Sequence, residues 1–377
     1  MNQSSVRTGA VLTLFAAACA SEPSTENALT SSSASCEVLS VATSVGGVAS
    51  PDHIFGEVTD ASLLEDSSFV VVDRQAREVH VFGADGALRE ILGGSGEGPG
   101  EFLDPIAVDT HGERVFVWDW RQSRVTEFDL ASAGVFTHNV PGQVNPSYQF
   151  GLLDDGFVVG FAAGDLVGDE GEFWTTDLGV GRVSFGSETV DTTMLVPDQV
   201  YGWVDQAQRR VGSPHFSPRA SLSTSGGVVY WSRGDVPALI RAGAGGLDTI
   251  RWEWPSRPVG PGDVEVYRQL FLERRDESMH AGINRMFAAM PAAEVYPAVA
   301  GLMPDNDGGI WVQAYSAPHD TSSTWLRIED GVTCRVTLPR AFVTTDGGKD
   351  WLLGVVSDDL GVQRVERWMV GRRNSDS

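Results

Sequence analysis

Apolar residues along this chain fall into short runs bounded by Asp and Gly, and six of those runs share one arrangement. They start at Phe69, Val115, Phe157, Val228, Ile310 and Trp351, each after a polar turn such as Glu65-Asp66-Ser-Ser or Asp307-Gly-Gly309. The first two belong to a copied segment. Phe69-Val-Val-Val-Asp73-Arg-Gln-Ala-Arg-Glu-Val79-His-Val-Phe82 aligns with Val115-Phe-Val-Trp-Asp119-Trp-Arg-Gln-Ser-Arg-Val125-Thr-Glu-Phe128, without a gap, at an offset of 46 residues. Each copy reads as a buried strand, a short turn and an alternating strand. A repeat of this length made only of strands is the signature of a β-propeller blade. The six starts are 46, 42, 71, 82 and 41 residues apart. Three of these steps fit one plain blade each; the two long ones must carry insertions.

The first insertion spans about Asp165 to Thr176 and Pro197 to Pro218, is rich in Gly, Asp and Trp, and reads as long loops. The second, residues 256–295, lies between blades four and five and has a helical period. Asp263 can cap a helix at Val264, with Val266, Tyr267, Leu270 and Phe271 on one face. Ile283, Met286, Phe287 and Met290 repeat the pattern until Pro291 ends it. This Met and Phe stripe reads as core contact rather than a cofactor box. The last blade, Arg340 to Gly371, supplies about three strands, and residues 37–48 read as a strand that can complete it. The expected fold is all-β: a six-bladed propeller over 37–372, closed by an N-terminal strand, with a helical insertion.

Residues 1–18 read as a signal peptide. Arg7 precedes an apolar run from Ala10 to Ala18, too short to span a bilayer but fit for export. Ala16-Ala-Ala-Cys19 is similar to a bacterial lipoprotein cleavage box in which Cys19 becomes the lipidated residue, although Ala16 stands where Leu is usual. Ordinary signal cleavage nearby is the alternative. Residues 19–36 then form a flexible tether. The expected location is lipid-anchored to the envelope, on the periplasmic face of a bacterial membrane such as the outer membrane, or free in the periplasm. Cys36 and Cys334 can pair as a disulfide in that oxidising compartment, or remain two unrelated thiols.

Fifty-one acids against 27 bases give a net charge of −24, which argues against a nucleic-acid partner. Lys349 is the only lysine, a bias we attribute to codon usage.

Gly93-Gly-Ser-Gly-Glu-Gly-Pro-Gly-Glu-Phe102-Leu-Asp-Pro105 resembles the inter-blade signature of NHL repeats, and Val-Trp-Asp119 with Ser123-Arg124-Val125 resembles the rest of that repeat. More broadly, residues 50–372 resemble the bacterial six-bladed β-propeller lipoproteins related to NHL proteins. Asp307-Gly-Gly-Ile-Trp311-Val312 looks like their fifth blade, and Leu353-Gly-Val-Val to Val365 like their last. The resemblance implies fold and export, and little chemistry.

The Gly-rich loop lacks the following helix that a nucleotide site needs, and Glu97 and Glu101 would repel phosphate. Asp73 and Asp119 share a repeat position and read as turn formers. The seven histidines are scattered, with no metal-ligand spacing. Candidates near inner strands for a channel site are Asp60, Asp109, Tyr148, His215 and Arg219. The expected binding face carries Arg74, Gln75, Trp120, Arg121 and Gln122 with the 93–102 loop, joined by Trp203 and its neighbours Trp174 and Tyr201. The reading is a monomeric, exported propeller that binds a ligand or envelope protein through one loop face, without a cofactor, metal or assigned catalysis. Its membrane contact runs only through the N-terminal lipid. The alternatives are a metal-dependent lactonase- or lyase-type enzyme with a channel site, and a structural envelope scaffold.

Overall fold

The computed structural model describes residues 35–47, 53–141, 146–163, 168–169, 171–305 and 307–372, with the backbone alone for 146–148. Cys19, the signal segment and most of the tether lie outside the described residues.

Six antiparallel sheets follow one another along the chain. After β1 (Glu37–Gly46), blade one is β2 (Val58–Leu63), β3 (Phe69–Asp73), β4 (Glu78–Phe82) and β5 (Leu88–Gly93). Blade two is β6 (Pro105–His111), β7 (Arg114–Asp119), β8 (Arg124–Asp129) and β9 (Gly134–Asn139). Blade three has five strands: β10 (Pro146–Leu153), β11 (Gly156–Ala163), β12 (Phe173–Ser184), β13 (Asp191–Asp205) and β14 (Arg210–Gly212). Blade four is β15 (Ser221–Ser225), β16 (Val228–Ser232), β17 (Ala238–Gly243) and β18 (Gly246–Arg251). The helices α1 (Asp263–Glu273) and α2 (Glu277–Ala289) come next. Blade five is β19 (Val299–Pro304), β20 (Ile310–Ala314), β21 (Ser322–Ile328) and β22 (Val332–Pro339). Blade six is β23 (Phe342–Gly347), β24 (Trp351–Ser357) and β25 (Gln363–Gly371), completed by β1. Each of the six runs singled out in the sequence opens the second strand of a blade, to within one residue.

The ring closes because β1 pairs antiparallel with β25, Glu37 opposite Gly371 and Val45 opposite Val365. Beside this clasp, Cys36 is bonded to Cys334 of β22, with Cα atoms 5.5 Å apart. The outer strands of blades five and six are thus joined covalently.

The blades are covered on both faces, which is why the middle of each second strand is largely apolar. Phe69 and Val71 face the blade-six residues Leu353, Val355 and Val365. Val70 and Val72 point the other way, into Val108, Val115 and Val117 of blade two. Period-two alternation thus serves two cores at once. The blade-three insertion differs from the loops expected of it. Phe173–Thr175 pair with Val200–Gly202, so β12 and β13 continue as an extended hairpin, and β14 adds to its edge. Their β-branched and aromatic residues favour a pleated surface despite the surrounding Gly and Asp.

Helix α1 also begins differently. Gly262 precedes it without a side-chain cap bond, and Asp263 is its first residue. The Asp263 carboxylate turns back to accept the Gly260 N–H at 2.5 Å, bracing the approach to the helix. Val266, expected on the apolar face, is exposed. On α2, Ile283 and Phe287 are buried, as is Met290 beyond its end.

Candidate functional site

In this topology the first-to-second and third-to-fourth strand turns share one end of the ring. The second-to-third turns and the inter-blade links share the other. The Arg74, Trp120 and Gly-rich segments, the extended hairpin and both helices all belong to that second face.

At blades one and two this face is stapled to itself. Asp73 accepts the Gly56 and Glu57 N–H groups from the preceding link at 2.7 and 3.1 Å, and Ala76 N–H from its own turn at 3.1 Å. Asp119 repeats this with Leu103 N–H at 2.7 Å and Gln122 N–H at 3.0 Å, and is fully buried. The shared Asp therefore joins turn to link in both blades. Gln122 is occupied as well: its amide nitrogen donates to Asp119, Glu101 O and Gly96 O. Buried Arg124 donates to Glu97 O, Gly98 O and Glu101 O, gripping the Gly-rich loop from below. Phe102 fills the space beneath Gly93, where φ is +89° and a Cβ would stand 2.3 Å from the ring.

The remaining expected binding residues are dispersed. Arg74 is paired with Asp104 at 2.5 Å, and Gln75 and Arg121 are exposed at turn tips. Trp120 packs, half-buried, against the core between blades two and three. Trp203 lies on blade three, donating its indole N–H to Gly168 O at 2.7 Å, with its ring 5.3 Å from that of Trp174. These two tryptophans pack the extended hairpin.

The inner strands carry a second set of carboxylates. In five of the six, a β-bulge falls within the inner strand's pairing to its neighbour, a device that re-aims side chains. Asp346 accepts Leu63 N–H at 2.8 Å and the Ser62 hydroxyl at 3.1 Å. Asp60 accepts Val108 N–H at 2.9 Å, and Asp109 accepts Leu152 N–H at 3.2 Å. Each Asp thus reaches from its own blade to the next around the channel. Thr224 continues the circuit by donating to Leu152 O at 2.8 Å, close in because a Cβ on Gly151 would collide with it. Burial pushes the Asp60 carboxyl well up and that of Asp109 to about 6, and it raises Asp346 too; repulsion from Asp346 adds to the first two shifts and repulsion from Asp305 to the third. Asp60 and Asp109, read as candidates for channel chemistry, are therefore clamps between blades. Asp346 was not singled out; the signal was a Thr beside the Asp in Thr59-Asp60, Asp109-Thr110 and Thr345-Asp346 alike. Among the described residues no three His, Cys, Asp or Glu side chains gather to hold a metal ion.

His215 serves the helical corner. It is buried, stacked on Phe287 with centroids 4.5 Å apart, and its Nε2 lies 3.2 Å from Phe287 O. Phe216, Tyr267, Tyr296 and Tyr315 continue this aromatic wedge between α1 and blade five. Arg257 anchors its rim, paired with Asp320 at 3.0 Å. Arg219 is exposed near Asp198 and Tyr201. The side chain of Tyr148 lies outside the described residues.

Next to the wedge, a cleft of about 310 Å³ opens between blades five and six. Gln313 and Tyr315 come from the end of β20 and its turn, Ser323 and Trp325 from β21, Arg340 from the inter-blade link and Thr344 from β23. Burial pushes the Tyr315 hydroxyl up to about 12, so it stays protonated. Arg340 donates through Nη1 to Ala317 O, Pro318 O and Asp320 O, which fixes the guanidinium at the rim. This arrangement can bind; it contains no nucleophile paired with a base.

Residues 50–155 match the DUF5128 family, described as 6-bladed beta-propeller. No curated protein matches the chain. Among solved structures, it is similar to a protein of Bacteroides fragilis named as a candidate exported protein. The two are 11% identical with a TM-score of 0.53, over 90% of this chain and 96% of that one. A DUF4221-family protein of Bacteroides vulgatus is 7% identical, over 90% and 97%, with a TM-score of 0.49. Virginiamycin B lyase of Staphylococcus aureus is also 7% identical, over 87% and 98%, with a TM-score of 0.42. At such identities the likeness is one of architecture, and that architecture is this chain's own: it is a six-bladed β-propeller.

Proposed function

We propose that the chain is an exported binding protein whose site is the cleft between blades five and six, on the face that carries the links and helices. The observation that carries this reading is the contrast across that face. At blades one and two Asp73, Asp119, Gln122 and Arg124 bond turn to link across the face, whereas the cleft is a concave, mixed aromatic and polar site of ligand size. Export is supported by the Arg7-to-Cys19 signal pattern and by a disulfide, which persists in oxidising compartments. The reading of a lactonase- or lyase-type enzyme has no ligand set behind it among the described residues. On this reading the binding site lies on the same face as Arg74, Gln75, Trp120, Arg121, Gln122 and Trp203, but at blades five and six instead of one to three.

Thr344→Trp, which fills the cleft, tests the site against a small-molecule library screened by thermal shift and calorimetry. Ligands that bind wild type and fail on this variant support the reading. Ligands that bind both equally, or none that saturates wild type, overturn it. Anchoring has its own measurement: Cys19→Ser should move the protein from the membrane to the soluble envelope fraction, and retention would sink the lipid anchor.

A further inference from the structure

A separate cavity of about 330 Å³ lies between blades two and three, lined by His138 of β9, Pro141 after it, Val183 of β12 and Glu188 beyond that strand. His138 is held there by a chain of charged groups. Its Nε2 lies 2.8 Å from Glu127 Oε2, and Glu127, only 7% exposed, meets Arg114 through its other oxygen at 3.3 Å. The three side chains come from β7, β8 and β9 of blade two. The imidazole also rests against Phe185 beyond β12, with ring centroids 4.5 Å apart. A carboxylate can only accept, so Nε2 carries a proton, and in the neutral ring Nδ1 is left as an acceptor. That Nδ1 has no hydrogen-bond partner among the described residues. Unlike Nδ1 of His80, which also has a Glu beside its ring, it is not sealed from solvent.

The other lining groups restrict what can meet it. Exposed Glu188 brings a second acceptor, this one charged. No Arg or Lys is among the described residues that line the cavity, since Arg114 sits behind Glu127. A net charge of −24 gathers cations around the chain. Val183 and Pro141 form an apolar wall. Two acceptors beside an apolar wall suit a ligand whose polar end only donates and carries positive charge.

We propose that this cavity is a second binding site, independent of the cleft between blades five and six, and that it takes a small alkylammonium ion. The N–H groups go to Glu188 and to His138 Nδ1, and the alkyl body lies along Val183 and Pro141. Glu127 and Arg114 are positioning residues that hold the imidazole in its accepting tautomer. The charged groups facing the ring are Glu127, Arg114 and Glu188. A second proton on His138 turns Nδ1 into a donor and sets a cation beside the ammonium, so binding weakens as pH falls.

The test is calorimetry of the purified protein with hexylamine, hexanol and hexanoate. Saturable binding of the amine is expected, about tenfold tighter than the alcohol, from the strength of charge-assisted bonds, with hexanoate weakest. Glu188→Gln, at an exposed position, should remove most of that preference and leave the melting temperature unchanged. Lowering the pH from about 8 to about 5.5, across the range in which imidazoles take up a second proton, should weaken the amine about tenfold in wild type. His138→Gln, whose amide can donate to Glu127 and turn its oxygen to the cavity, should keep binding at neutral pH within a few-fold and lose that pH dependence. Thr344→Trp should bind the amine as wild type does. Equal binding of amine and alcohol, a flat pH profile in wild type, affinity unchanged by Glu188→Gln, or no binding by the panel overturns the proposal. Loss of the amine in Thr344→Trp would overturn it as well, by moving the ligand to the other cleft.

Discussion

Blades one and two and the seam between blades five and six solve the same problem with different means. Each must hold two sheets together and cover their inter-blade link. Blades one and two do so by repetition: Asp73 and Asp119 fasten turn to link, and Gln122 and Arg124 hold the Gly-rich loop. At the seam the turn Asp is Asp320, which accepts the Ala317 N–H and pairs with Arg257 of the preceding link, and a disulfide ties the outer strands. Stapling of turn to link leaves the first surface as scaffold, whereas the seam leaves a cleft of about 310 Å³ with a fixed cation at its rim.

The largest effect should come from the covalent tie. Reduction, or Cys36→Ser with Cys334→Ser, should cost about 2–5 kcal/mol in denaturant unfolding, because the bond closes a very long loop. A loss near zero would mean that β1 pairing alone secures the seam. On the regular side, Asp119→Ala should cost about 2–4 kcal/mol, as it strands several buried N–H groups, with little change in ligand affinity. Weakened binding at unchanged stability would instead place a ligand at blades one and two. The channel acids give a pH signature. A carboxyl whose pKa is higher in the folded than in the unfolded chain binds protons preferentially when folded. Stability should therefore be greatest below the unfolded value of about 3.9 and fall by roughly 1–3 kcal/mol as pH rises towards neutrality. Asp109 completes its part of that fall near pH 6. A stability that climbs over this window would contradict the buried-clamp assignment. Smaller still, His215→Ala should loosen α2 by about 1–2 kcal/mol, seen as faster amide exchange there with the ring intact.

The blade repeat was legible because one apolar run packs two cores and is bounded by turns that need Asp or Gly. Phe69–Asp73 and Arg114–Asp119 announce themselves in this way. The extended hairpin was not legible: β12 and β13 are rich in Gly and Asp, and only their long pairing partners make them strands. The cleft was less legible still. Ser323 and Trp325 sit on β21, Arg340 on the link and Thr344 on β23, and each alone is an ordinary strand or link residue. What sets them apart is the cleft they line together, a property of the packed ring. Conversely, Gln122 and Trp203 carry side-chain types common at interfaces, but both are spent on internal contacts.

The pairing of Glu37 with Gly371 also orders events in time. The first strand of the body has no neighbour until the last one exists, so no arc of blades can seal while residues 363–371 are still emerging. Contacts this distant along a chain form late and slowly. Throughout that interval the apolar faces of blades one and six stay open to water, the condition under which chains aggregate. Residues 363–371 are therefore the ones that decide whether everything before them is kept.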